Sequence, residues 1–273
     1  MKEIILSNKK IAEVYINEGD FNLVSNREKF SESLVNEEIS SIKKSIGFAD
    51  NEELKIFLRD FVIGKNNKYK ISEPNFNHTE ILNVIKNALQ KCLFVFNDEC
   101  IKILIFPTID DFAIEKMKGT TGYCVFNKTI FVGLHISVGW EQNLQNTVIH
   151  ETAHALSLHY NMADMSIKEG IIFEGLAEHF REKFSDSKRS DIVKGITKKQ
   201  AIDFFHELKP KLDIKDYSSY AEVFFGSGKY PNWTGYSIGY YLIEDYLKTK
   251  KEIDWKKLLR KNPHDIFKEI RNY

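Results

Sequence analysis

Thr147-Val148-Ile149-His150-Glu151-Thr152-Ala153-His154-Ala155-Leu156-Ser157-Leu158 is the stretch on which the reading of this chain turns. Two imidazoles four positions apart on a helix lie on one face, one turn above the other, and can grip a single metal ion. Between them stands Glu151, a carboxylate placed for base chemistry. Zinc takes neutral imidazole nitrogens and carboxylate oxygens in a roughly tetrahedral set, and a catalytic site leaves one position for water. The spacing thus predicts His150 and His154 as metal ligands and Glu151 as base. Such a five-residue pattern arises by chance in roughly one chain of this size in a hundred, so its flanks carry weight. Thr147, Val148, Ile149, Ala155, Leu156 and Leu158 form an apolar run with no Pro or Gly between Trp140 and Tyr160, which predicts a partly buried helix. Two core histidines on an amphipathic helix are the plainer alternative.

A second helical segment, Ile171-Ile172-Phe173-Glu174-Gly175-Leu176-Ala177-Glu178-His179-Phe180, carries two carboxylates one turn apart. Acidic pairs at this spacing repel and are ordinarily solvated surface. These stand among Ile171, Ile172, Phe173, Leu176, Ala177 and Phe180, so at least one is expected to be partly buried and to need a cation or strong donors. Zinc held by two imidazoles is such a cation, which makes Glu174 the expected third ligand. Glu178 suits a supporting role, accepting the free N–H of a ligating imidazole and fixing its ring. A continuation with Gly three and His six places after the second motif histidine is absent, because Ser157 and Tyr160 hold those positions. His159 and His179 each sit five residues past an expected ligand and turn away from it on a helix, so both read as satisfied histidines.

Together, HETAH at 150–154, FEGLAEHF at 173–180, IKILIFPT at 101–108, GTTGYCVFNKTIFVGL at 119–134 and WTGYSIGYYLIEDYL at 233–247 resemble the YjaZ-like predicted zinc-dependent proteases of Gram-positive bacteria. That family belongs with the gluzincin branch of the zincin metallopeptidases, and the resemblance covers roughly residues 100 to 250. It implies a zincin-like catalytic domain with His150, His154 and Glu174 as zinc ligands and Glu151 as catalytic base. Where gluzincins commonly carry Asp one turn after the ligand Glu, this chain has the longer Glu178.

The chemistry implied is hydrolysis of a peptide or protein substrate. Zinc lowers the pKa of a bound water towards about 7 and polarises the scissile carbonyl, while Glu151 takes the proton and delivers it to the leaving amine. A tetrahedral oxyanion also needs a protein donor. Gluzincins commonly place one on a helix after the ligand Glu, and here Tyr236, followed by Tyr240, offers a phenol beside Gly235, Ser237 and Gly239. Aromatic packing is the competing account of both tyrosines. The alternative function is a non-catalytic metal-binding regulator that holds a partner protein, against which stands Glu151, since a structural site has no need of a free carboxylate beside the open position. Hydrolysis of a non-peptide amide or ester would use the same constellation.

The 273 residues are 42% hydrophobic, enough for a core in one large domain or two small ones. With 39 Lys and Arg against 39 Asp and Glu there is no basic excess to meet a phosphate backbone, which argues against a nucleic-acid partner. The start, MKEIILSNKK, lacks the apolar run of a signal peptide, and nowhere do eighteen apolar residues occur in succession, so a cytoplasmic location without membrane association is expected. Cys92, Cys100 and Cys124 are an odd number without close pairing, expected as reduced thiols and not as ligands.

Residues 1–75 are expected to form a helical N-terminal region, with Phe30, Leu34, Ile39, Ile42 and Ile46 as a buried stripe, and residues 76–273 the zincin-like domain. The change falls in the Lys-, Asn-, Ser- and Pro-bearing connection between Gly64 and His78. Beyond it come a helix near Thr79 to Leu93 and a strand, Ile101 to Phe106, closed by Pro107. Strands at Gly122 to Phe126 and Thr129 to Leu134 flank Asn127-Lys128. One of those two is expected to border the cleft and pair with extended substrate, an interior hairpin being the ordinary alternative. The whole reads as a mainly helical α+β protein with a small mixed sheet over the metal helix.

Overall fold

Ser7 and Asn8 both take left-handed backbone angles, φ 50° and 61°, and this two-residue turn folds the start of the chain into a hairpin of β1 (Lys2–Leu6) and β2 (Lys9–Ile16). Strands therefore stand where the sequence suggests helix. Ile4 and Leu6 are buried and Glu3 and Ile5 exposed, the period of a strand, but Ser-Asn is a weaker turn signal than Asn-Gly. The computed structural model describes residues 1–23, 26–64, 76–126 and 128–270. Within it the chain forms two compact units, Met1–Ala155 and Leu156–Tyr273.

In the first unit, α1 (Arg27–Leu34), α2 (Glu37–Ile42) and α3 (Asn51–Phe57) each begin on a side-chain cap, Asn26, Asn36 and Asp50, which accepts an otherwise orphaned N–H. Of the expected stripe, Phe30, Leu34, Ile39 and Ile46 are fully buried and Ile42 partly so. The connection expected between Gly64 and His78, and with it the boundary at 75, falls largely on 65–75, outside the described residues. Then follow α4 (His78–Lys91), β3 (Ile101–Pro107), α5 (Asp111–Lys116), β4 (Thr120–Cys124), β5 (Thr129–Leu134) and α6 (Trp140–Ala155). Asn127, in the connection between β4 and β5, also lies outside the described residues.

The five strands form one mixed sheet in the order β1-β2-β3-β5-β4, parallel at its centre and antiparallel at both flanks. Because β2 pairs with β3, Ala12 beside Ile101, the N-terminal hairpin and the strands beyond residue 100 share this sheet. One face carries Tyr15, Leu104, Phe106 and Phe131 against the α1 to α3 stripe. Strand alternation turns Val14, Ile103, Ile105, Ile130 and Val132 to the other face, where α4 and α6 pack. The small sheet beside the metal-motif helix is thus present, and β4 is its last strand.

The second unit is helical: α7 (Ile167–Phe184), α8 (Lys198–Leu208), α9 (Tyr217–Phe225), α10 (Thr234–Lys248), α11 (Trp255–Leu258) and α12 (Pro263–Glu269). Ser166 and Glu169 close a reciprocal capping box at the start of α7. Helices α7 and α10 cross at glycines, and a Cβ on Gly175 would run into the Gly239 carbonyl while one on Gly239 would run into the Ile171 carbonyl. Ile171, Phe205, Phe224 and Ile238 sit in the core of this unit. Among the described residues, no helix is long and apolar enough to cross a membrane.

Candidate metal centre

Helix α6 repeats every 3.6 residues, so Thr147, His150, Glu151 and His154 share one face, and that face meets β4. The Nε2 atoms of His150 and His154 stand 3.2 Å apart, with ring centroids 4.9 Å apart and planes at 75°. Two nitrogens bound tetrahedrally to one zinc at ordinary bond lengths are about 3.3 Å apart, so the imidazoles already have the spacing of a ligand pair. One ligand atom from each of His150, Glu151 and His154 lies within 4.8 Å of the others. Chemistry and spacing both fit a divalent metal.

Glu151 is only 6% exposed, a costly place for a carboxylate without donors. Its Oε2 accepts the main-chain N–H of Cys124 on β4 at 3.0 Å. Nothing in the motif itself foretells that contact. Its sequence signal is Gly122, a glycine inside a strand pattern, which often marks a close approach. Thr152 donates its hydroxyl to the Val148 carbonyl at 2.7 Å, which satisfies the polar group inside the motif.

Glu174 and Glu178 lie on α7 in the second unit, and both are buried. Oε2 of Glu178 accepts the Ser190 hydroxyl at 2.7 Å and Nη2 of Arg181 at 3.1 Å. The cation that burial demands is therefore supplied to Glu178 by Arg181, which the sequence reading passed over although it stands one turn further on the same helix.

Tyr236 is half-buried on α10, its ring edge-on to Phe224 and Trp233 at 5.6 Å each. Trp233 heads that helix at φ 70°, a left-handed conformation that is strained for a bulky residue. Tyr240 donates its hydroxyl to Glu182 at 2.7 Å, and burial together with that carboxylate pushes its pKa up to about 12. His179 stacks on the Tyr240 ring at 4.2 Å and its Nε2 lies 2.9 Å from the Tyr240 carbonyl. With only an acceptor to meet, Nε2 is the protonated nitrogen, and burial holds the ring below its ordinary pKa. His179 is thus a satisfied histidine, as expected.

His159 is exposed and lies past Ala155, where α6 ends. The helical-face argument for His159 therefore does not apply. All three cysteines are free. Burial pushes the Cys92 thiol up to about 12 and the Cys124 thiol well above its usual range, away from the thiolate form that binds metal.

Compared with known proteins, the sequence profile of a family described as "Predicted Zn-dependent protease" matches residues 81–268. "Uncharacterized protein YjaZ" of Bacillus subtilis is 26% identical over 125 residues, 45% of this chain and 48% of that protein, so the match spans about half the length of the relative. No solved structure matches.

Proposed function

This chain belongs to the family of predicted zinc-dependent proteases, and on that premise we propose that it is a zincin-like, gluzincin-type peptidase with His150, His154 and Glu174 as zinc ligands and Glu151 as general base. One observation carries the proposal. The two Nε2 atoms face each other at 3.2 Å with a buried carboxylate between them in sequence. A pair of hydrogen-bonded histidines would account for the spacing but would leave Glu151 without a task.

Zinc bound there would activate water, polarise the scissile carbonyl and offset the charge that develops on it. The chain's own residues do the rest. Glu151, held through one oxygen on the Cys124 amide, takes a proton from water and returns it to the leaving amine. Glu174 is supported as third ligand by its burial on α7 among apolar neighbours and by the family pattern. Glu178, anchored by Arg181 and Ser190, is a rigid acceptor suited to orient a ligating imidazole. Tyr236 is proposed as the oxyanion donor on the family pattern of a phenol on a helix after the ligand Glu, here on α10.

The peptide substrate class rests on the family, and β4 is the strand proposed to border the cleft: it ends the sheet order, and an extended peptide would add to it by main-chain hydrogen bonds alongside the Cys124 N–H, which Glu151 already holds. The test is cleavage of a diverse peptide library by zinc-loaded protein, read by mass spectrometry beside Glu151→Gln. Cleavage by the wild type alone is expected and yields the side-chain preference. No cleavage by either protein, with zinc bound to both, would overturn the peptidase proposal.

A further inference from the structure

Strand parity gives β4 an inner and an outer side. Val125 donates its N–H inward to the Thr129 carbonyl at 3.2 Å. One residue earlier the direction reverses, and the Cys124 N–H faces the open side, where Oε2 of Glu151 accepts it at 3.0 Å. An amide at a sheet edge is ordinarily left to solvent or to an added strand. Here it holds a side chain of α6.

Gly122 lies two residues back on the same strand. A Cβ there would stand 2.6 Å from Cγ of Glu151, 2.8 Å from its Oε1 and 2.7 Å from Cγ2 of Thr147. Its φ is not left-handed, so what demands glycine at 122 is space and not backbone freedom. The same glutamate thus needs a missing side chain at 122 and a main-chain donor at 124.

We propose that Gly122 and the Cys124 amide form the seat of Glu151: the outer edge of β4 positions the carboxylate, Gly122 by clearing room for its stem and Cys124 by fixing one oxygen. A glutamate side chain rotates about three bonds, and holding it before substrate arrives removes that freedom in advance of the reaction. Gly122 is a positioning residue that acts through Glu151. Its catalytic consequence rests on Glu151 being the base, whereas the contact itself does not.

Two measurements on the full chain test this. The first is amide hydrogen exchange, followed residue by residue in the wild type and in Glu151→Ala. Loss of a charged acceptor should speed exchange at Cys124 by about tenfold or more, while Val125, paired to β5, keeps its rate. Equal Cys124 rates in the two proteins overturn the seat.

The second compares Thr147→Ser with the double variant Gly122→Ala/Thr147→Ser. The serine removes Cγ2 of Thr147 and so leaves Glu151 as the group that the new Cβ displaces. The double variant should lose about tenfold or more in kcat, with KM and zinc affinity retained and Cys124 exchange accelerated. An unchanged kcat, or a kcat loss matched by lost zinc affinity, assigns Gly122 a merely structural part and overturns its positioning role. Should the wild type cleave no peptide, the peptidase proposal falls, and the exchange comparison still decides the seat.

Discussion

Glu151 combines burial with a main-chain donor, and its removal should be felt in turnover and not in metal binding. In Glu151→Gln, kcat is expected to fall by about 10²- to 10⁴-fold, the usual worth of a positioned general base, while zinc content measured by mass spectrometry stays at the wild-type level. Tyr236→Phe removes one hydroxyl from a half-buried ring and should lower kcat by roughly a hundredfold with little change in KM if it stabilises the oxyanion; an unchanged kcat moves that role to another residue. At Glu178 the stake is stability. Both partners of the Glu178–Arg181 pair are almost fully buried, so Arg181→Ala strands a buried carboxylate, and a loss of about 3–5 kcal/mol is expected in urea titrations. His179 adds a pH dependence whose sign follows from its burial. Its folded pKa lies below the ordinary 6.5, so the unfolded chain holds the proton more tightly and stability falls as pH drops below that value. His135, also lowered by burial, acts in the same direction, so His179→Gln should flatten the decline in stability between neutral pH and pH 5 without abolishing it.

Between elements, the crossing of α7 and α10 sets two effects against each other. Alanine is a better helix former than glycine by about 1 kcal/mol, which alone would make Gly175→Ala or Gly239→Ala stabilising. At these positions, however, an added Cβ meets the backbone carbonyl of the facing helix, a group that cannot rotate aside. Overpacking of this kind costs about 1–3 kcal/mol and occasionally more, so both variants should be destabilised in denaturant titrations. A stabilised variant would mean that the helices separate readily. The same crossing accounts for Gly239 beside Tyr240, which admits the backbone of α7, whereas Gly235 beside Tyr236 leaves room for the Phe224 ring of α9. At the other end of the chain, the β1–β2 hairpin depends on Ser7 and Asn8 in left-handed conformations, and Gly at position 7 should relieve the less suitable of the two.

For the molecule as a whole, a metal that binds the folded state and not the unfolded chain adds stability by mass action. At a thousandfold excess over its dissociation constant the gain is about 4 kcal/mol, and each kcal/mol is worth roughly 2–4 °C in Tm for a chain of this size class. Chelation should therefore lower Tm measurably, added zinc should restore it, and His154→Ala should remove the difference, as calorimetry would show. A chelator-insensitive wild type would argue that His150 and His154 do not hold metal.

The metal motif is legible in the sequence because helical periodicity is local: positions 150, 151 and 154 share a face whatever else the chain does. The same locality made the α4, β3 and β4–β5 segments readable to within a few residues, and the apolar neighbours of Glu174 and Glu178 foretold carboxylates that are in fact buried. Pairing across the chain was not legible. The Glu151 contact joins positions 27 apart, β2 pairs with β3 at positions 89 apart, Ala12 with Ile101, and the cation for Glu178 is a neighbour on its own helix whose direction depends on how the 185–190 segment folds back. Such contacts depend on loop closure and on packing between surfaces, which residue spacing does not encode. The sequence by itself thus determined which side chains are candidates for the chemistry and on which helices they stand. Only the tertiary structure decided that the last strand of the sheet holds Glu151, because an outward amide and a missing Cβ become a seat only when β4 and α6 are pressed together.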